Sequence, residues 1–164
     1  MHNVTDILQA FESGDFARSN LFEVEIYHLG QSFRFRCKAT EVPASTVEKV
    51  AVGYMNRKLN IAGDRTYDDW PCTIYNDDEH DIRTMLVDWS DSAHGATNKI
   101  TGDTPAEYKK IGTIRQIKRD GETVGKEYTL VGVWPTNVGQ VQLDWDTNNE
   151  VQVFEVTFAI DWVE

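Results

Sequence analysis

Two pairs of carboxylates stand at alternating positions, Glu23 with Glu25 and Asp144 with Asp146. Residues i and i+2 of a strand share a face, which is the spacing an acid–base pair or a shared cation would use. Asp77, Asp78, His80 and Asp81 form a third group that invites a metal reading. The calcium-loop pattern of alternating acids with a required glycine is absent, and a helix's first turn explains acids there through the helix dipole. Cys37 and Cys72 are far apart and form no CxxC, so two buried thiols in a reducing compartment are expected rather than a zinc site or a disulfide. No glycine-rich phosphate loop and no GxSxG motif occurs, and His2, His28, His80 and His94 are scattered. The expectation is a protein that is not an enzyme and that uses neither metal nor cofactor.

The elements around these residues point the same way. In LFEVEIYH the side chains Phe22, Val24 and Ile26 share one face, and in SFRFRCKAT so do Phe33, Phe35, Cys37 and Ala39. A tight turn at Gly30 and Gln31 predicts a hairpin pairing Ile26 with Phe35 and Val24 with Cys37. That register sets Glu25 opposite Arg36 and Glu23 opposite Lys38, so the first carboxylate pair reads as a solvated ion ladder. The second pair reads as a strand edge: residues 140–146 form a predicted strand with Val141, Leu143 and Trp145 on one face, turning at Asn148 and Asn149.

Elsewhere, Val4, Ile7, Leu8 and Phe11 mark a short amphipathic helix, capped by Asn3 or Thr5 and ended by Gly14. Residues 66–75 read as a strand. Asn76 and Glu79 suggest a capping box opening a helix over about 78–89, with Ile82, Met85, Leu86 and Trp89 as its apolar stripe. A long polar connection covers residues 90–110. A second hairpin joins 111–119 to 126–134 around Asp120 and Gly121. A six-residue loop would set Lys118 opposite Glu127, Ile114 opposite Val131 and Ile117 opposite Tyr128, and a shorter loop is equally open. The last run, 150–163, moves its apolar face from Val151 and Val153 to Phe154, Val156, Phe158, Ile160 and Trp162, which predicts a bulge or a strand passing between sheets.

The stretch 41–70 is extended in residue type, yet no stripe of it reads as continuously apolar. It carries Lys49, Arg57, Lys58 and Arg65 and is punctuated by Gly63 and Asp64. Such a segment finds a hydrophobic face on a neighbour, within the chain or on another copy.

The 164 residues suit one domain with its own core. No apolar run approaches a membrane span, and the N-terminus reads as having no secretory signal. A net charge of −11 disfavours capture of nucleic acid through a basic face.

Several long segments carry a resemblance: AFESGDFAR (10–18), FRCKATEVPASTVEKVAVGYMNRKLNIAGDRTYDDW (35–70), PAEYKK (105–110) and WPTNVGQVQLDWDTNNEVQVFEVTFAIDW (134–162). Together they closely resemble the tail tube proteins of contractile-tailed, T-even-like bacteriophages and, more distantly, the tubes of type VI secretion systems and bacteriocins. The resemblance implies a mainly β sandwich or half-barrel with one flanking helix, a short N-terminal helix and a long extended arm. It implies six copies per ring and rings stacked into a tube inside a contractile sheath in the virion, assembled in the host bacterial cytoplasm.

Partners implied by the resemblance are the chain itself, the sheath, baseplate or tube-initiator and tail-terminator proteins, with tape-measure protein and DNA passing transiently through the lumen. On this reading residues 1–164 are one tail-tube domain, 1–20 an N-terminal arm and 41–63 an assembly arm. Candidate inter-subunit contacts are Glu41, Glu48, Lys49, Tyr54, Met55, Asn56, Arg57, Lys58 and Arg65. Candidate lumen-facing acids that keep DNA sliding are Glu23, Glu25, Glu122 and Glu127. Two other classes compete: a carbohydrate- or receptor-binding β-sandwich using exposed tryptophans, and a hydrolase using a carboxylate pair. Trp89, Trp145 and Trp162 read as core residues, which argues against the first.

Overall fold

Apolar side chains at period two build most of the molecule. The computed structural model describes residues 4–10, 12, 14–95 and 102–164. Its strands are β1 (Phe22–Ile26), β2 (Cys37–Thr40), β3 (Ser45–Tyr54), β4 (Arg57–Tyr67), β5 (Trp70–Tyr75), β6 (Lys110–Ile117), β7 (Val124–Val138), β8 (Val153–Ala159) and β9 (Trp162–Val163). The helices are α1 (Val4–Ala10), α2 (Gln31–Arg36), α3 (Asp81–Ala93) and α4 (Pro105–Tyr108). Seven strands form one sheet in the order β1-β6-β7-β8-β5-β2, with β9 also on β7, while β3 and β4 form a separate pair.

The long strand β7 is the corner of the sheet. Its first part pairs with β6, and residues Trp134 to Val138 pair with β8. Between them Gly132 adopts φ 76°, bulging against β6, and a side chain there would overlap the Asp161 carboxylate. Glycine is therefore required at this bend. The curved sheet wraps a core of Val24, Ile26, Ile74, Leu130, Val156 and Phe158, closed by Ile82, Leu86 and Trp89 of α3. Trp70 and Trp89 both pack on Phe158, with ring centroids 5.2 and 5.9 Å apart, and their indole N–H groups donate to the Thr40 hydroxyl and the Tyr108 carbonyl. Both buried indoles thus keep a hydrogen-bond partner.

The first predicted hairpin does not form. β1 keeps its apolar face but pairs with β6, Val24 opposite Ile114 and Ile26 opposite Gly112. The chain leaves β1 through a 3-10 turn (Tyr27–Leu29) and α2, joined at Gly30 with φ 76°, a path that sinks both Leu29 and Phe33 into the core. β2 then pairs with β5 at the far edge of the sheet. Gly112 permits this packing, since a Cβ there would sit 2.9 Å from the Trp70 ring.

Four other expectations shift. The second hairpin has a six-residue connection, but over 118–123 and not 120–125, which sets Arg115 opposite Glu127 and Ile114 opposite Tyr128 in place of Val131. The Asp120 carboxylate accepts the N–H groups of Glu122 and Thr123 at 3.0 and 2.9 Å, which tightens the turn. α3 starts at Asp81 rather than near 78: His80, at φ 56°, precedes it, and Asp77 accepts the Asp81 N–H in place of a capping box at Asn76. The strand expected over 66–75 begins at Trp70, because residues up to Tyr67 belong to β4. Residues 140–146 form no strand, since nothing pairs with their alternating apolar face. The last run does pass between parts of the sheet, but at residues 160–161 and not at Phe154: β8 breaks after Ala159 and β9 resumes on another part of β7. α1 forms as expected with Val4 and Leu8 exposed, while Phe11 and the capping candidate Asn3 lie outside the described residues.

Candidate assembly surfaces

The stretch 45–67 folds into one antiparallel hairpin whose two-residue turn, Met55 and Asn56, has φ 44° and 60°. Positive φ at both positions is the type I′ geometry that suits the strand twist. Val50 lies opposite Ile61 and Val52 opposite Leu59, so these four and Tyr54 share one face. Lys49 and Lys58 lie on the other face, with Ala51, Asn60 and Ala62. The expectation that this stretch lacks an apolar face is therefore overturned. Folding the strand back on itself assembles a face that neither half shows alone.

Among the described residues, no element covers that face. Every residue of β3 is exposed, and Val50, Val52, Leu59 and Ile61 keep 48, 44, 58 and 55% of their surface in contact with solvent. An isolated two-stranded hairpin is marginal in water, and its apolar face gains stability only by docking. Of the candidate contact residues, Glu48, Lys49 and Tyr54 lie on β3, Met55 and Asn56 in the turn, and Arg57, Lys58 and Arg65 on β4. Glu41 stands apart in the β2–β3 connection, and Arg65 is tied to the Ser45 hydroxyl at 3.0 Å.

The four acids proposed for a lumen separate. Glu25 and Glu127 accept hydrogen bonds from Arg115 at 2.7 and 3.1 Å, and Glu23 pairs with Arg34 and lies 3.9 Å from Arg115. The ladder expected with Arg36 and Lys38 is thus replaced by one across β1, β6 and β7. Arg36 instead pairs with Asp77 at 3.0 Å. Glu122 lies exposed in the β6–β7 turn.

The remaining chemistry is occupied by structure. Asp77 is engaged by Arg36 and by the Asp81 N–H, and Nδ1 of His80 faces the Asn76 amide at 2.7 Å. Among the described residues no group of three His, Cys, Asp or Glu side chains could hold a metal ion. Both cysteines are free; burial pushes the Cys72 thiol up, and a hydrogen bond from Cys72 holds Cys37 below its usual value.

The second surface escaped the sequence reading. Leu143 and Trp145, assigned there to a strand and a core, are 83 and 97% exposed on the 139–152 connection. The Asp146 N–H donates to the Asp144 carboxylate at 3.0 Å, and the Thr147 hydroxyl donates to the Asp144 carbonyl at 2.9 Å. Asp144 is therefore a turn former rather than half of an acid–base pair. Trp162 is also partly exposed, so only Trp89 of the three tryptophans supports the core argument.

An exposed hairpin, an exposed tryptophan loop and a curved β sheet are features of a protein that works through surfaces. Residues 10–162 match the phage tail tube protein family. The chain is 61% identical over 161 residues to tail tube protein gp19 of Enterobacteria phage T4, covering 98% of this chain and 99% of that one. The chain belongs to the phage tail tube protein family. A tail tube protein is a structural component of the virion. Solved structures extend the likeness of fold. A chain of the PVC sheath–tube complex, from an extracellular contractile injection system in its extended state, superposes with a TM-score of 0.69 at 17% identity, covering 100% of this chain and 97% of that one. A chain of the six-fold symmetrised anti-feeding prophage baseplate gives 0.64 at 11%, covering 92 and 95%. This tail tube protein has the mainly β architecture with a flanking helix that the resemblance implied. Its family does not favour a carbohydrate-binding module.

Proposed function

We propose that this tail tube protein polymerises as stacked hexameric rings into the inner tube of a contractile tail, the conduit for DNA and tape-measure protein. The observation that carries this reading is the β3–β4 hairpin: a two-stranded arm whose apolar face is left exposed by the described residues of its own chain. β1 and β2 are the edges of the seven-stranded sheet, and edge-to-edge pairing of neighbouring copies would close six sheets into one barrel. Heterologous contacts of this kind generate rings when they close and filaments when they do not.

The whole chain then acts as one tail-tube domain, with 1–20 as an N-terminal arm and 41–63 as an assembly arm. The six-fold baseplate and the sheath–tube complex named among solved structures support six copies per ring and partnership with sheath, baseplate and terminator proteins. The role is structural rather than enzymatic. The net charge of −11 per copy suits a channel that repels phosphate, with Glu23, Glu25, Glu122 and Glu127 as candidate lining acids. Subunits stay monomeric in the host cytoplasm until a baseplate nucleates them.

Negative-stain microscopy with light scattering tests this. Purified protein should give small particles alone and hollow tubes when baseplates are added. Small particles under both conditions would reject the proposal.

A further inference from the structure

We infer that the acidic loop 139–152 of one copy seats against the apolar, basic hairpin β3–β4 of a copy in the neighbouring ring. This inference rests on the tube reading and adds which surfaces meet between rings.

Placement comes first. β5 and β8 are antiparallel neighbours, with Trp70 opposite Phe158 at one end and Tyr75 opposite Val153 at the other. The hairpin leaves the sheet at the Trp70 end: its base is closed by the Asp68 N–H on the Ala44 carbonyl at 3.0 Å, two residues before Trp70. The loop 139–152 ends at Val153 and so hangs from the opposite end, five residue steps or about 17 Å away. In a barrel closed through strand edges, strand ends face the two rims. The two surfaces therefore fall on opposite rims of a ring, where a head-to-tail stack brings them together.

Their chemistry is complementary as well. The loop carries Asp144, Asp146 and Glu150 and no Lys or Arg. The hairpin carries Lys49, Arg57, Lys58 and Arg65 against Glu48 and Asp64. Each presents apolar surface beside charge: Leu143, Trp145 and Val151 on the loop, 83, 97 and 66% exposed, and on the hairpin the Val50–Ile61 and Val52–Leu59 pairs, which share their face with Arg57 while Lys49 and Lys58 lie on the other. A tryptophan on a fixed turn is the kind of anchor that dominates protein interfaces, and opposite charge around it sets orientation. Exposed apolar surface at both ends of one chain needs no foreign partner to be covered. A second copy of the same chain covers both.

The test places the photo-crosslinking residue p-benzoylphenylalanine at position 145, doped into wild-type subunits assembled on baseplates. Expected are crosslinked dimers, confined to the tube fraction, that join peptide 139–152 of one copy to peptide 45–67 of another. In parallel, Trp145→Ala should raise the critical concentration for tube growth by roughly 30-fold, the loss typical of an aromatic anchor, with an unchanged monomer melt. Tubes that form while the crosslinks map elsewhere, or a Trp145→Ala chain that polymerises like wild type, overturn the inference and leave the tube reading standing. Wild-type protein that makes no tube overturns both.

Discussion

Replacing Leu59 and Ile61 by serine separates assembly from folding. Both side chains lie on the unpartnered hairpin face, 58 and 55% exposed, opposite Val52 and Val50. Fully burying a large aliphatic side chain is worth roughly 1.5–3 kcal/mol, so covering the half still exposed is worth about 1 kcal/mol each. The double change should therefore remove about 2 kcal/mol per contact, or roughly 30-fold in the association constant, and a six-membered ring repeats that loss. The hairpin is a separate two-stranded sheet, so the core around Trp70 and Phe158 should not register the change. Exposed substitutions typically stay within about 0.5 kcal/mol of wild type in global stability. Sedimentation of baseplate-nucleated tubes against total protein gives the critical concentration, and a urea melt of the monomer gives the control. An unchanged critical concentration, or a melt shifted by 2 kcal/mol, would refute the reasoning.

Three further changes probe other parts of the structure. Gly132→Ala forces a side chain into φ 76° against the Asp161 carboxylate and should destabilise the monomer by about 1–3 kcal/mol in a urea melt, with tubes still forming where it stays folded. Hydrogen bonds from the Thr123 hydroxyl and then from the Thr123 and Glu122 N–H groups hold Asp120 down at about 2. Because this folded-state value is depressed, the turn's contribution is complete above the usual carboxylate value of about 3.9 and fades as pH falls towards 2. The stability gap between wild type and Asp120→Ala should follow that course, and a gap independent of pH over this window would contradict it. Glu122→Lys tests the repelling lumen more cleanly than changes at Glu23, Glu25 or Glu127, whose loss also breaks the Arg115 cluster. It should slow DNA ejection from virions at low salt and recover as salt rises, whereas an unchanged rate and salt dependence would remove Glu122 from the lumen.

Faces were legible in the sequence, and partners often were not. Val24 and Ile26 lie on a buried face as their alternation requires, yet their partner is Ile114 and its strand, about ninety residues away, rather than the neighbouring run. Alternation fixes which side of a strand is apolar but carries no address for the strand beside it. Phe33 shows the same ambiguity at short range: it fits period two with Phe35, yet it reaches the core from α2, after Gly30 at φ 76° has turned the chain out of β1. The long helix was secure: α3 carries Ile82, Leu86 and Trp89 inward, whereas the last run changes sheet partner at residues 160–161, between β8 and β9, and not at Phe154, which lies inside β8.

The hairpin was half visible. Its location and basic residues could be read, but the turn at Met55 and Asn56 lacks the glycine that usually marks type I′ geometry, so Val50 and Ile61 were not seen as partners. Trp145 misled for the opposite reason. Val141, Leu143 and Trp145 alternate as a strand would, but Gly139 leaves the ladder on the Glu155 carbonyl at 2.6 Å and no strand follows.

Electron cryomicroscopy of tubes grown from the purified chain on baseplates, at a resolution that traces the backbone, tests the central claim most directly. The predicted result is a hollow six-fold tube in which hairpin 45–67 is buried between copies and the edges β1 and β2 pair across subunits. A tube in which that hairpin stands free in solvent, or assemblies without a continuous inner barrel, would contradict it.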